Sequence, residues 1–409
     1  MKGKVKINAE KQFQEYRGSG AWLNSALPFN PNLRLTEEQK ARVWPVFESC
    51  KIRNRKENVF TFEILMANLF WLKGLRPVIV SLSPNEWKKT RYNPVGSSVI
   101  GMIHKLKEEG YLGMALGYRT EKESRQTRIW ATEKLLEYFQ ELPNNVVYEP
   151  TELVELRDEK RRLKEYKDTI RTRQIRAILK RANQVNQAAD IRYHGYKLSP
   201  FLYAVFIRKF TLYGRLHTRG YRHYQGFSEE ERREITINGD SVVELDYSGL
   251  HPHLLYAKEG IQFFGDPYSI VDSRPEARPF LKSILLSMLN AKDEITAERA
   301  ANYWLYENHE ERDKLAEIGI TRARPLMQAF RERHKKIAHY FCSGKDTGLK
   351  IMNLDATIAL DIIDYFAKQG IPILAIHDSF IVQEQYKDEL HITMRKIYRK
   401  HTGFRISVK

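Results

Sequence analysis

The sequence predicts an α+β protein, and three observations carry that expectation. The first third shows apolar residues at helical spacing followed by two short strand-like runs. A charge-dense stretch with helical character follows at 151–181. Farther on, two β-branched apolar runs each meet an aspartate: Val-Val-Glu-Leu-Asp ending at Asp246, and Ile-Leu-Ala-Ile-His-Asp-Ser-Phe-Ile-Val around Asp378. A buried strand can carry a carboxylate to its tip, and two such strands side by side would bring both carboxylates within reach of the same divalent cations.

Composition bounds the partners. With 68 Lys+Arg against 51 Asp+Glu, the formal net charge is +17 and the sequence pI is about 9.5, so attraction to a polyanion is expected. The chain has 409 residues, 42% of them hydrophobic, enough to bury more than one core. Two cysteines, Cys50 and Cys342, argue against a disulfide scaffold or a cysteine zinc site. The start Met-Lys-Gly-Lys-Val-Lys lacks a signal-peptide core, and no run reaches membrane-spanning length. A soluble, cytoplasmic protein without a membrane partner is the expectation.

Residues 1–45 are polar and aromatic without a clear period. Phe62, Leu65, Met66, Leu69 and Phe70 recur at helical spacing from Phe60 to Leu72. Ser-Pro-Asn-Glu from Ser83 predicts a second, short helix with proline in its first turn. A third is predicted from about Pro94 to Glu109, with Val95, Val99, Met102, Ile103 and Leu106 on one face and Gly110 ending it. Strands at Tyr111–Tyr118 and Arg125–Ala131 follow, and Thr132 would cap another helix.

Three helices and a hairpin resemble a winged-helix module, at about 58–142 within an N-terminal region 1–145. The resemblance implies DNA docking. The third helix would present Ser97, Ser98, His104, Lys105 and Lys107, and the wing Arg119, Lys122, Arg125 and Arg128. Winged helices also serve as protein–protein modules.

Pro143 to Pro150 reads as a linker. The helical stretch 151–181 carries 11 Lys or Arg against 6 acidic residues, which suits a solvated face or a clamp on a nucleic-acid backbone. At Thr211-Leu-Tyr-Gly-Arg, Gly214 permits close backbone approach and Arg215 offers a planar fork to phosphate or to a base edge. Gln225 comes next, then a strand with an Asn-Gly turn, Asn238-Gly239, predicting a hairpin that supports the Asp246 strand.

In this order the residues resemble the family A DNA polymerases and the single-subunit, bacteriophage-type RNA polymerases, over about residues 200–405. The matching elements are Thr211-x-x-Gly-Arg215, Gln225, Val-Glu-Leu-Asp-Tyr-Ser at 243–248, Arg278-Pro-Phe-Leu-Lys282, and Met352-Asn-Leu-Asp-Ala-Thr357 running to Ala-Ile-His377-Asp378-Ser-Phe380. The His-Asp-Ser-Phe form looks more like the RNA polymerases, the Asp-Tyr-Ser form more like the DNA polymerases. The resemblance implies a helical thumb-like segment at 151–198 and a right-hand palm built on an antiparallel sheet at 199–409, with helical fingers inserted at about 265–345.

It also implies roles. Asp246 and Asp378, with the Tyr247 carbonyl, would hold two Mg²⁺ or Mn²⁺ ions for phosphoryl transfer. Arg278 and Lys282, four apart and therefore on one helix row with 286 and 290, would face a nucleoside triphosphate. Lys282 would act as general acid toward the departing pyrophosphate. Thr211, Gly214, Arg215, Gln225 and His377 would lie along the template–product duplex, His377 bracing the turn that presents Asp378. Partners would be a DNA template, nucleoside triphosphates and replication proteins.

Other residues carry plainer readings. Asp355, Asp361 and Asp364 read as caps or solvated positions, and His251 and His253, without further ligands nearby, read as non-zinc residues. Tyr213 and Tyr224 are candidates for stacking on bases. Three positions depart from both families, Ala291 being one of them, where they carry glycine. His251 stands where they carry glutamate or glycine, and Asn290 where they carry a tyrosine. A smaller polar residue at 290 favours ribonucleotide use, and His251 could equally gate the sugar. The short chain leaves little space for an exonuclease, which suggests a primase-like enzyme of a mobile element or phage. A small DNA polymerase extending a primer is an alternative; so is a non-catalytic origin-binding protein with a degenerate palm.

Overall fold

The computed structural model describes residues 19–121, 123–143, 146–219, 223–270 and 275–409, so Lys122 of the expected wing lies outside the described residues. The chain divides into two compact units, Met1–Glu152 and Leu153–Lys409.

The first unit contains β1 (Leu27–Pro28), α1 (Glu37–Ser49), α2 (Lys56–Leu72), β2 (Val78–Val80), a single 3-10 turn at Pro84–Trp87, α3 (Ser98–Glu108), β3 (Leu112–Ala115) and β4 (Thr127–Ala131). The sheet order is β1-β2-β4-β3. Thr36 and Gln39 form a reciprocal capping box at the start of α1. Helix α2 is buried on most sides, and its Asn68 brackets the backbone of Asn30 at 2.7 and 2.9 Å. This fastens the aperiodic segment before α1 onto the core. Val99, Met102, Ile103 and Leu106 of α3 point into the same core. The stretch read as a linker is partly structured, because Val147–Tyr148 pairs antiparallel with Leu33–Arg34.

In the second unit, 151–181 is not one helix. Val154–Arg157 forms β5, which pairs in parallel with β8 (Leu202–Ile207). The helix α4 begins only at Ile170, behind a capping box of Thr169 and Thr172, and runs to Ala188. Charge density and helical propensity suggested helix, but burial of Val154, Glu155 and Leu156 against a fully buried strand overrides propensity. Buried Glu155 is satisfied by Arg157 at 2.6 Å and Arg219 at 2.5 Å.

The remaining strands are β6 (Ile191–Tyr193), β7 (Tyr196–Lys197), β9 (Lys209–Thr218), β10 (Ile235–Ile237), β11 (Asp240–Asp246), β12 (Leu374–Ile376) and β13 (Ser379–Gln383). Six of the strands form a sheet in the order β7-β6-β10-β11-β13-β12, every pair antiparallel. The β10–β11 hairpin turns at Asn238 and Gly239 with φ of 54° and 88°, the two positive values a type I′ turn requires. A second, three-stranded sheet has the order β9-β8-β5. After β11 come α5 (Leu250–Lys258), α6 (Arg278–Asn290), α7 (Glu294–Glu307), α8 (His309–Glu317), α9 (Arg324–Arg333) and the long α10 (Thr347–Lys368); α11 (Lys387–Thr402) follows β13. Helix α10 packs against both β9 and α4. Among the described residues no helix is long and apolar enough to cross a membrane.

Candidate active site

The two aspartates meet through strand register. In the β11–β13 ladder Val242 faces Gln383, and the pairing runs to Asp246 facing Ser379. His377 and Asp378 form the tight turn between β12 and β13, with His377 at φ 57°. Asp378 therefore stands one residue beyond the position opposite Asp246. On the other flank, Asp246 exchanges backbone hydrogen bonds with Lys409 at 2.8 and 3.0 Å, and Ser248 N–H donates to the Ser407 carbonyl at 3.0 Å. The Asp246 backbone is thus pinned from both sides, leaving the side chain the main freedom.

The carboxylates are destabilised as anions. Burial first, and Asp378 second, push Asp246 up to about 7, while Lys282 pulls it down. Burial, then Asp355, raises Asp378. Asp246 Oδ1 is buried and has no hydrogen-bond partner among the described residues. An orphan carboxylate oxygen beside a second, half-buried carboxylate is costly without a cation, so the pair fits a hard divalent ion. Among the described residues no group of three or more His, Cys, Asp and Glu converges as a cage. Two protein carboxylates are nonetheless enough for Mg²⁺, which keeps several waters and phosphate oxygens in its shell. Tyr247 is buried with its hydroxyl donating to the Met394 carbonyl at 2.6 Å, and its backbone bridges Val408.

Helix α6 presents a solvent-facing row. Lys282, Leu286 and Asn290 are exposed and Arg278 is half-buried, whereas Phe280, Leu281, Ile284 and Leu285 are buried. Arg278 is ion-paired with Asp266 and lies over the Tyr268 ring at 5.0 Å. Asn290 donates to the Leu286 carbonyl at 2.8 Å and abuts Gly348, where a Cβ would stand 2.1 Å from Asn290 Oδ1.

A third carboxylate belongs to this region. Asp355, read from sequence as a cap or solvated residue, is instead 2% exposed, with His251 Nε2 at 3.5 Å and an Arg215 terminal nitrogen at 3.8 Å. Its position carried a signal: it lies three residues from Met352 and four from Ala359, on the apolar stripe of α10. Asp361 and Asp364 are also paired, the former with Lys400 and His401, the latter with Arg181 and Lys368. Arg215 Nε is buried without a partner among the described residues. His377 is exposed at the turn, where partial desolvation and then the nearby Arg215 lower its imidazole to about 4.

Strand β9 alternates Leu212, Gly214 and Leu216 inward against Thr211, Tyr213, Arg215 and His217 on the other face. Gly214 has φ 80°, and a Cβ there would meet Asn353 Nδ2 at 2.8 Å, so glycine permits the approach of α10. Sequence reasoning passed over His217, whose ring stacks on Tyr213 with centroids 5.9 Å apart, and which burial depresses to about 4. Arg161 lies over Tyr213 at 5.8 Å. Gln225 is committed to backbone: it accepts from Thr218 N–H at 2.9 Å and donates to the Ala375 and Leu216 carbonyls at 2.7 and 3.2 Å, tying β9 to β12. Tyr224 is fully buried in an apolar cluster, its hydroxyl accepting from Ala375 N–H at 3.2 Å, and so presents no ring for stacking. His253 Nδ1 lies 2.8 Å from the Gly249 carbonyl at the start of α5.

In the first unit, His104 and Lys107 are exposed on α3, while Lys105 Nζ donates to the Lys51 carbonyl at 2.7 Å. Arg125 lies over the Tyr118 ring at 5.0 Å, with its Nε buried and unpartnered among the described residues.

No known protein family matches the sequence, and no curated protein does. Among solved structures, the chain is similar to the polymerase domain of Pol1 from M. smegmatis, determined in complex with DNA primer-template and dNTP. The TM-score is 0.30 at 13% identity, over 58% of this chain and 50% of that one. The chain thus spans about half the length of that polymerase domain. The functional reading rests on the residues already described.

Proposed function

We propose that this protein is a DNA-templated nucleotidyltransferase, adding nucleoside monophosphates from triphosphates at the Asp246–Asp378 pair. The observation that carries the reading is the orphaned, buried Asp246 Oδ1 beside Asp378, in the field of Lys282. A divalent cation held by the two carboxylates, with the Tyr247 carbonyl as a further ligand, would supply charge neutralisation at the transferring phosphoryl group. Arg278 would exchange its Asp266 partner for phosphate oxygens, a charge-assisted bond that its planar fork favours. Lys282, exposed one turn along, would neutralise the same phosphates and donate a proton to the leaving pyrophosphate. Thr211, Arg215 and the Tyr213–His217 stack would lie along nucleic acid, while Gln225, Gly214 and neutral His377 hold the surrounding backbone in place.

Sugar choice falls to His251 and Asn290. His251, beside Asp355 and acting electrostatically on Asp378, is the better placed of the two to sense a ribose near the reacting phosphate. Ribonucleotide use, as in a primase-like enzyme, is the favoured form of the activity. In the first unit, the order helix, strand, short helix, helix, hairpin, with β2-β4-β3 adjacent, supports a winged-helix reading. DNA docking would then use the exposed face of α3 and the hairpin that includes Arg119 and Arg125. Incubation with single-stranded template, Mg²⁺ or Mn²⁺ and labelled ribo- or deoxyribonucleotides, with and without primer, tests the reading. Incorporation abolished by Asp246→Asn supports it; no incorporation under any condition, with duplex binding retained, favours a non-catalytic DNA-binding role.

A further inference from the structure

The strand edge opposite Asp378 opens onto a cavity of about 460 Å³, of whose lining the proposed chemistry uses Arg278 alone. Its cationic side chains are Arg278, Arg395, Arg405 and Lys409, and Asp266 carries the single side-chain carboxylate among the described lining residues. Asp266 is already paired with Arg278. Collecting the other three cations around one concavity costs electrostatic energy unless an anion joins them.

Three further features give that anion a shape. Lys409 is hydrogen-bonded through its backbone to Asp246, so one wall of the cavity is attached to the reacting strand itself. Arg278 is the first residue of α6, so its guanidinium enters the cavity from the start of that helix. Beyond Arg395 and Arg405 the cavity adjoins a more open trough of about 630 Å³ along α11, lined by Lys396, Arg399 and Lys400 and containing no carboxylate among its described lining residues. The cationic surface therefore runs from beside Asp246 outward to solvent.

We propose that this cavity is a diphosphate-binding site. It receives the two terminal phosphates of a bound nucleotide and, after transfer, retains inorganic pyrophosphate before it leaves along the α11 trough. This rests on the nucleotidyl-transfer reading. In that step the strand's hydroxyl oxygen bonds to the α-phosphorus, and the bond from that phosphorus to its bridging oxygen breaks, its electron pair departing with pyrophosphate. Lys282 supplies a proton to the pyrophosphate and the hydroxyl proton passes to solvent. Arg395, Arg405 and Lys409 thus act on the leaving group from the palm-side strand and helix, across from Arg278.

Titration calorimetry of the full chain with inorganic pyrophosphate, in the presence of a chelator, tests the site apart from catalysis. Inorganic phosphate should bind at least about tenfold more weakly, because it engages fewer of the cations. The double variant Arg395→Ala/Arg405→Ala should weaken pyrophosphate by about tenfold or more, whereas Arg395→Lys/Arg405→Lys should retain most of the affinity. Unchanged affinity in the alanine variant, with circular dichroism showing an intact fold, overturns the proposal. So does binding of a single-stranded oligonucleotide that tightens with its length and resists displacement by pyrophosphate, which would make the trough a nucleic-acid track. In a polymerisation assay the same alanine variant should be less inhibited by added pyrophosphate. Arginine-dependent pyrophosphate binding in a protein that transfers no nucleotide would overturn the catalytic reading and leave the diphosphate site standing.

Discussion

Asp246 faces Ser379 directly across the antiparallel ladder, and Asp378, the residue before Ser379, stands in the β12–β13 turn at the same end of the sheet. The chemistry proposed for this edge yields the following expectations.

Replacing either aspartate should separate activity from stability. Asp246→Asn or Asp378→Asn should lower nucleotide incorporation on the order of a thousandfold, as loss of a principal charge-stabilising group does. Each should leave the metal-free melting temperature unchanged or higher, because a repelling buried charge has been removed. Incorporation assays and calorimetric melts check the two halves independently.

The metal-free protein should lose stability as pH rises toward and through 7. Asp246 keeps its proton up to about 7 in the folded chain, whereas an unfolded aspartate gives it up near ~3.9. Between those values the folded state binds more protons, so its advantage shrinks with increasing pH. Added Mg²⁺ should reverse the trend, and its stabilising effect should be larger at pH 8 than at pH 6. A Mg²⁺ effect independent of pH, or one equally large in Asp246→Asn, would count against the pair as a cation site.

Asp355 should tune that titration. It raises Asp378 electrostatically from α10, so Asp355→Asn should move the midpoint of the Mg²⁺-dependent stabilisation to lower pH. Arg215→Ala removes the cation nearest Asp355 and should cost ~1–3 kcal/mol in urea unfolding, the range for leaving a buried polar group unsatisfied.

Sugar discrimination should respond to residues 251 and 290. Asn290→Tyr and His251→Gly should each change the ratio of ribonucleotide to deoxyribonucleotide use, by about tenfold for a group that contacts the sugar. Single-nucleotide incorporation kinetics supply the ratio, and a position whose substitution leaves it unchanged does not read the sugar.

Gly214→Ala should destabilise the second unit by ~1–3 kcal/mol, since the new side chain combines a positive φ with a clash against α10. Denaturant unfolding measures it directly.

The sheet and the helix α6 were legible because their signals are local. β-branched runs, an Asn-Gly turn and the four-residue spacing of Arg278 and Lys282 need no distant partner to be read. Asp355 was misread because its burial depends on α10 packing against β9, a contact between residues about 140 positions apart in sequence. The strand at Val154 was hidden for the same reason: its partner lies at 204–207, and its own composition speaks for helix. Gln225 and Tyr224 looked like surface groups because polarity and aromaticity say nothing about which backbone groups they will satisfy. Gln225 is spent joining β9 and β12, and Tyr224 on the Ala375 amide of β12.

The short pairing of residues 407–409 with Asp246 and Ser248 makes that segment a latch on the strand that carries Asp246. The Asp246 and Ser248 amides are shielded by that contact, so they exchange with deuterium only when the latch lifts. Since Arg405, Ser407 and Lys409 also wall the cationic cavity, exchange at two amides becomes a clock for its opening. A peptide fused after Lys409 would load that latch.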